Sequence, residues 1–167
     1  ALEVNTTGTL NNAIGNFALC KNTSGGCNTA MGYRSLASNT TASFNTGFGM
    51  DTLTANTTGT RNVAVGYTSL LANTTATDQV AIGHQALDTA TTGSENTAVG
   101  KSALATSTTG ATNVAVGAYA LCKLTTSCCN VAVGYQAGMC NTTGCRNVYI
   151  GYQAGYLATT PEGNTFV

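Results

Sequence analysis

The chain has 167 residues and a mass of 16.8 kDa, which suits one domain of ordinary size spanning residues 1–167. Charged residues make up only 7% of the chain and the formal net charge is zero, which excludes a basic nucleic-acid-binding surface and a polybasic membrane patch. No apolar run approaches the ~18 residues of a membrane-spanning helix, so we expect no nucleic-acid partner and no membrane insertion.

Glycine recurs at a fixed interval of 17 residues along the whole chain. The glycines are Gly15, Gly32, Gly49, Gly66, Gly83, Gly100, Gly117, Gly134 and Gly151. Two residues before each glycine stands Ala, except at Gly47 and Tyr149, and a large apolar residue directly precedes each glycine. A repeat this regular is typical of a solenoid, and residues at the same position of the repeat are said here to share a slot.

Each Asn-x-Ala-apolar-Gly step predicts one short β-strand, because residue types alternate within it and turn-forming residues flank it. In chain order the predicted strands lie at 11–15, 28–32, 45–49, 62–66, 79–83, 96–100, 113–117, 130–134 and 147–151, with a tenth at 164–167. We therefore predict an all-β fold, a parallel β-solenoid (β-roll or β-helix) of about ten coils, forming a rod ~47 Å long at the ~4.8 Å strand spacing.

The alternation also predicts which side chains face inward. We expect the Val or Thr beside the Asn and the Ile or Val before the Gly to fill the coil interior. The Ala and Gly between them are then expected to face outward, either as a flat packing surface between chains or as small residues at a tight corner.

Asparagine stands four residues before each repeat glycine, with Gln79 as the single substitute. The ladder residues are Asn11, Asn28, Asn45, Asn62, Asn96, Asn113, Asn130 and Asn147. We expect these stacked amides to hydrogen-bond from coil to coil, with ligand binding as the weaker alternative.

Seven cysteines in so lightly charged a chain indicate an oxidising compartment. Their slots predict three bridges within turns, namely Cys20–Cys27, Cys122–Cys129 and Cys140–Cys145. Cys128 is then left without a partner, and a Cys128–Cys145 bridge between adjacent coils is the competing pairing. A zinc site is a weaker alternative, because the spacing is not that of a closed site.

Few residues offer catalytic chemistry. His84 shares its slot with several tyrosines, which indicates an exposed polar stripe. Asp78 and Glu95 share a slot one coil apart and could act as acid and base or bind calcium. Arg61 shares that slot one coil earlier, so stacked opposite charges explain Arg61 and Asp78 without chemistry. We predict no enzyme, no cofactor and no metal site.

Six sequons share one slot at the Asn-Thr-Thr-Gly turn, and they are Asn5, Asn22, Asn39, Asn56, Asn73 and Asn141. They predict a glycoprotein, although glycans at the ~4.8 Å coil spacing would crowd each other. The alternatives are O-glycans on the threonines of the turn and plain turn chemistry with glycine in the left-handed region.

Both ends of the sequence continue the repeat, with Ala1-Leu2 matching its Ala-Leu step and 164–167 matching its strand. Because neither end has an atypical capping unit, we expect a second copy to continue the ladder head to tail into a homopolymer. A fragment of a longer fibre is the alternative.

The step Asn62-Val63-Ala64-Val65-Gly66 resembles the head β-roll of trimeric autotransporter adhesins. The whole array is still more similar to 17-residue repeats of bacterial surface and phage tail-fibre-like proteins. The resemblance implies a left-handed parallel roll, a homotrimer as one mode of assembly, and a role in adhesion or as a fibre shaft.

The leading functional hypothesis is therefore an extracellular or cell-surface structural protein, the protomer of a filament or fibre. The alternative is an adhesin or tail-fibre shaft that binds surface glycans through its tyrosine stripe. Ice binding is a distant third, because Thr57 and Thr58 are adjacent and point to opposite faces.

Overall fold

The computed structural model describes residues 1–167 and consists of short parallel strands joined by turns. The strands are β1 (Asn12–Ile14), β2 (Thr29–Met31), β3 (Thr46–Phe48), β4 (Val63–Val65), β5 (Val80–Ile82), β6 (Thr97–Val99), β7 (Val114–Val116), β8 (Val131–Val133), β9 (Val148–Ile150) and β10 (Thr165–Phe166). They form one sheet in chain order. The predicted all-β parallel solenoid is confirmed, and the fold contains no helix that could cross a membrane.

The register between strands is the same at every step of the sheet. Each strand residue lies opposite the residue 17 positions further on, as Val63 does opposite Val80. A constant register follows from the constant repeat length, since any insertion would shift the side chains of the next coil out of their ladder.

The turns also bond neighbouring coils to each other through their backbone, as the N–H of Leu70 does by donating to the carbonyl of Ala86 at 3.0 Å. A threonine ladder adds to them. The hydroxyl of Thr57 donates to the carbonyl of Thr74 at 3.1 Å, and the backbone N–H groups of Thr57 and Thr58 donate to the same oxygen. The sequence shows this unbroken threonine slot, and the structure gives it a role between coils.

The middle residue of each strand faces the coil interior. Ala64 and Ala81 are fully buried, whereas the side chains on either side of them point outward, and Ile82 is 40% exposed. The prediction that the Val, Thr and Ile side chains fill the interior is therefore wrong, and so is the outward Ala and Gly stripe. Side chains alternate between the two faces of a strand, but both faces of these strands are largely apolar. The alternation therefore does not show which face is buried.

A leucine ladder in the turns explains why alanine lies inside. The leucines Leu19, Leu36, Leu53, Leu70, Leu87, Leu104 and Leu121 are all fully buried. Their backbone is left-handed, with φ of 52° at Leu70, and they belong to one core cluster with the strand alanines. With one leucine per coil already filling a narrow interior, close packing leaves room only for a small residue in the strand.

Tyr149 is a large residue in the alanine slot, and it fits because the neighbouring residues in the leucine slot are small. It occupies the alanine slot and is fully buried, and glycine replaces leucine at Gly138 and Gly155 on either side of its ring. A Cβ added at Gly138 would lie 2.9 Å from the Tyr149 ring, and one at Gly155 would lie 2.5 Å from it. The ring stacks on Phe166 with centroids 5.0 Å apart.

The glycine after each of β1 to β8 lies close to the backbone of the next coil. Gly100 has a φ of 131°, and an added Cβ there would lie 2.6 Å from the carbonyl of Gly117. Glycine alone meets both the backbone conformation and the spacing.

Candidate functional site

The asparagine ladder lies inside the rod and bonds both to the backbone and to the next coil. The Oδ1 of Asn45 accepts from the backbone N–H of Asn62 at 3.0 Å, and the Nδ2 of Asn62 donates to the carbonyl of Ala76 at 2.9 Å. Gln79 continues the series by accepting from the backbone N–H of Asn96. These amides satisfy buried backbone groups, which assigns them to holding coils together.

A second amide ladder occupies the sequon slot. Asn39 donates to Asn22 Oδ1 at 2.9 Å and to the carbonyl of Ala42 at 2.9 Å, and Asn56 donates in turn to Asn39. The glycine that ends this turn, such as Gly59, is not in the left-handed region. The turn is therefore held by the amide ladder, and the expected left-handed glycine is absent from it.

Burial of this ladder contradicts most of the predicted glycosylation. Five sequon asparagines are fully buried, and they are Asn22, Asn39, Asn56, Asn73 and Asn141. Their Nδ2 atoms, where an N-glycan would attach, donate hydrogen bonds inside the rod. Only Asn5 is exposed, so the folded rod has room for a glycan at one predicted site.

The seven cysteines are free thiols, and none of the three predicted turn bridges is formed. In each predicted bridge, at least one of the two sulfurs contacts another group instead. The Cys20 thiol donates to the carbonyl of Ala37 at 3.4 Å, and the Cys129 sulfur lies 3.3 Å from the Thr112 hydroxyl. The Cys140 sulfur lies 3.9 Å from the Lys123 ammonium.

Three thiols gather at one edge of the rod. A hydrogen bond with Cys129, burial and the nearby Cys145 raise the pKa of Cys128 to about 11. Hydrogen bonds from the Cys128 backbone and the Ser127 hydroxyl lower the pKa of Cys145. Cys128 and Cys145 share a slot in adjacent coils. Of the predicted pairings, the competing Cys128–Cys145 bridge is therefore the one whose two thiols are neighbours.

Of the two carboxylates proposed for acid–base or calcium chemistry, Asp78 forms an ion pair with Arg61 instead. The guanidinium of Arg61 donates to both oxygens of Asp78, at 2.7 and 2.8 Å, and these bonds lower the pKa of that carboxyl. Glu95 forms no ion pair. No group of three or more His, Cys, Asp or Glu side chains is arranged to hold a metal ion.

An exposed aromatic stripe runs along the turn after the strands. Its members are Tyr33, Tyr67, His84, Tyr135 and Tyr152. Tyr67 stacks on His84 with ring centroids 5.5 Å apart, and Tyr135 stacks on Tyr152 at the same distance. The stripe is thus a solvent-facing surface of flat rings, as the shared slot predicts for His84.

One shallow cleft of about 270 Å³ opens at the start of this stripe. Phe17 and Tyr33 form an aromatic wall, with ring centroids 6.1 Å apart in an edge-to-face arrangement. Lys21 and Arg34 bring positive charge to it, and Arg34 is partly neutralised by Asp51 at 3.5 Å. The cleft therefore combines flat apolar rings with cations, which suits an anionic ligand with an apolar face.

Sequence reasoning did not predict this cleft. Its lining includes Ala37 and Ser38, whose slots hold side chains of varied size along the chain, such as Leu71 and Lys123. Because neither slot is a regular ladder, the sequence contains no break that indicates the cleft.

Comparison with protein-family models, with curated proteins and with solved structures finds no match. The similarity to adhesin heads and tail-fibre-like repeats therefore stays a prediction from the residues of the repeat.

Proposed function

We propose that the chain is an extracellular or cell-surface structural protein, the shaft of a filament or surface fibre built by head-to-tail stacking of coils. In this role it needs no catalytic residue and no cofactor. The neighbouring thiols Cys128 and Cys145 support a place outside the cytosol, where such a pair can oxidise to a bridge between coils.

The observation that carries the proposal is the uniform interface between coils. Every pair of neighbouring strands from β1 to β10 uses the same parallel register. The amide and threonine ladders repeat alongside it, as between Asn45 and Asn62 and between Thr57 and Thr74. Coils of two copies can pair through the same groups as coils of one copy, and such a contact propagates without closing.

Electron microscopy of undenatured protein tests the proposal. We expect long filaments with an axial repeat of about ten coil spacings, or roughly 47 Å, and we expect them in the washed cell-surface fraction rather than in the lysate. A stable, monodisperse monomer at all concentrations would overturn it.

The cleft favours a second candidate function, the binding of acidic surface glycans. The Phe17 and Tyr33 rings offer a face on which a sugar ring can stack, while Lys21 and Arg34 can pair with a carboxylate. The volume of about 270 Å³ fits a single sugar ring of an acidic polysaccharide.

A glycan array comparing acidic with neutral saccharides tests this second function. We expect binding to the acidic members and at least tenfold weaker binding by an Arg34→Gln variant, because a charge-assisted contact is lost. Lys123→Gln is the matched control, since Lys123 shares the slot of Lys21 but lies six coils away. Equal binding of acidic and neutral glycans, or equal loss in both variants, would reject the cleft as the site.

A further inference from the structure

The outward side of the sheet is an uncharged and largely apolar surface. Two ladders form this outer sheet face, the first and the third residues of the strands. The third-residue ladder is Ile14, Met31, Phe48, Val65, Ile82, Val99, Val116, Val133 and Ile150. Ile14 is 59% exposed, Phe48 51% and Ile150 40%, so large apolar side chains meet solvent from the first coil to the ninth.

The first-residue ladder continues this surface and carries no charge. It holds Val63, Val80, Val114, Val131 and Val148, with Thr or Asn in the remaining strands. Neither ladder contains a charged residue in any of the ten strands. A contiguous exposed apolar face on a rod marks an interaction surface rather than a solvated one.

The size of the face lies near the lower limit of a specific interface. Ten coils at ~4.8 Å and a width of three residues at ~3.3 Å give roughly 480 Å² on each copy. Two such faces together cover roughly 960 Å², just under the ~1,000 Å² of a specific protein–protein contact, so the lateral contact is of the weak, concentration-dependent kind.

The periodicity of the face identifies the partner that fits it. Its apolar side chains form ridges spaced by one coil, and a second copy of the chain presents ridges with the same spacing along the same length. Ridges of equal spacing can interdigitate along the entire face, whereas a partner with another period loses register after a few coils. Because the face is uncharged, two copies meet without like-charge repulsion.

We infer that the outer sheet face is a lateral interface at which a second copy of this chain packs side by side. This contact is separate from the head-to-tail contact between coils. It makes the assembled fibre at least two rods wide, and it does not depend on end-to-end growth.

Sedimentation velocity of the full chain over a range of concentrations tests the inference. We expect wild-type protein to form lateral dimers or larger species. The variant Ile82→Lys/Val116→Lys, which places two charges on the outer sheet face, should form rods only one copy wide, with lateral association at least 100-fold weaker because two buried cations face each copy.

The matched control is Thr89→Lys/Thr106→Lys, which adds the same charge in a slot that already holds Lys21 and Lys123. It should associate like the wild type. A milder variant, Val116→Thr/Val133→Thr, keeps the side-chain shape and guards against misfolding, and it should weaken association roughly tenfold. Circular dichroism confirms that each variant is folded.

Each result separates lateral packing from filament growth. In electron micrographs, filaments of the Ile82→Lys/Val116→Lys variant should be one rod wide and as long as those of the wild type. If head-to-tail stacking does not occur, sedimentation of the wild type should still show lateral dimers. Unchanged association of the variant would overturn the inference, and so would a wild type that stays monomeric. Binding of monomeric wild type to phosphatidylcholine vesicles would overturn it in favour of a lipid partner.

Discussion

At the scale of single residues, Asn73 marks the point where the second amide ladder is interrupted. Its Oδ1 is buried without a hydrogen-bond partner, and so is the hydroxyl of Ser107 two coils further along the slot. Between them lies Ala90, whose methyl group can neither donate nor accept. Because Ala90 has no polar atom, both Asn73 Oδ1 and the Ser107 hydroxyl remain without a hydrogen-bond partner.

The substitution Ala90→Asn should stabilise the fold by about 1 kcal/mol, because its amide can donate to Asn73 and accept from Ser107. The free energy of unfolding in urea measures this gain. Ala90→Leu is the control with the same branched side-chain skeleton and no polar atom, in a slot where Leu124 is fully buried. Equal stabilisation by both variants would show that filled volume, and not hydrogen bonding, is responsible.

Burial of Tyr149 predicts a loss of stability in alkali. Desolvation raises the pKa of its phenol to about 12 from a usual value of 10.0, although a contact with Asn141 opposes the shift. Between about pH 10 and pH 12 the folded state therefore keeps a proton that the unfolded state releases. The stability that protonated Tyr149 contributes is complete below about pH 10 and is lost as the pH rises to about 12. Urea unfolding of wild type and Tyr149→Phe across this range measures it.

Because Tyr149→Phe removes the titrating group and an unpartnered hydroxyl, its stability should exceed that of wild type increasingly above pH 10. Tyr152→Phe, at a ring that is 73% exposed, serves as the control and should follow the wild type. Parallel curves for wild type and Tyr149→Phe would contradict the prediction.

At the scale of one coil, strand and turn share a fixed interior volume. Ala faces Leu in most coils, whereas Tyr149 faces Gly138 and Gly155. Tyr149→Ala alone should cost about 3–5 kcal/mol, because it leaves a cavity between two glycines. Adding Gly138→Leu and Gly155→Leu should recover most of that loss, since leucine adopts the same left-handed backbone in the eight other coils.

Thermal and urea unfolding of the single and triple variants measure this coupling. Gly138→Leu and Gly155→Leu in the presence of Tyr149 provide the control and should be strongly destabilising, because their Cβ atoms would lie within 3 Å of the ring. Additive effects of the three substitutions would show that the volumes are not shared.

The sequence predicts the strands and their register because both depend only on the 17-residue period, which no insertion disturbs. It does not predict which strand face is buried. Ala64 and Val65 are both apolar, and the choice between them depends on Leu70, whose left-handed backbone turns it into the interior. Residue propensities do not predict a left-handed backbone for leucine.

The same limit explains the sequons and the cleft. Asn-Thr-Thr is typical of an exposed turn, and the burial of Asn39 or Asn56 follows only from stacking amide on amide across coils. Arg34 and Lys21 lie far enough apart in sequence that only the coil geometry brings them to one cleft.

At the scale of the whole molecule, the rod is a one-dimensional stack whose stability is the sum of similar coils and the contacts between them. Deleting residues 80–96 joins Gln79 to Thr97 and keeps every remaining residue in its slot. We expect this variant to fold into a rod ~4.8 Å shorter. Its free energy of unfolding should fall by only about 1–2 kcal/mol, the share of one coil.

Deleting residues 80–95 is the matched control, because it retains Asn96 and places one extra residue at the start of β6. That residue either bulges out of the ladder or turns Ala98 outward, since a slip of one residue exchanges the two faces of a strand. The shorter deletion should therefore destabilise the rod more than the longer one, as measured by urea unfolding, with small-angle scattering reporting the length. Equal stability of the two variants would mean that coils tolerate changes of length and that the 17-residue period is not what holds the rod in register.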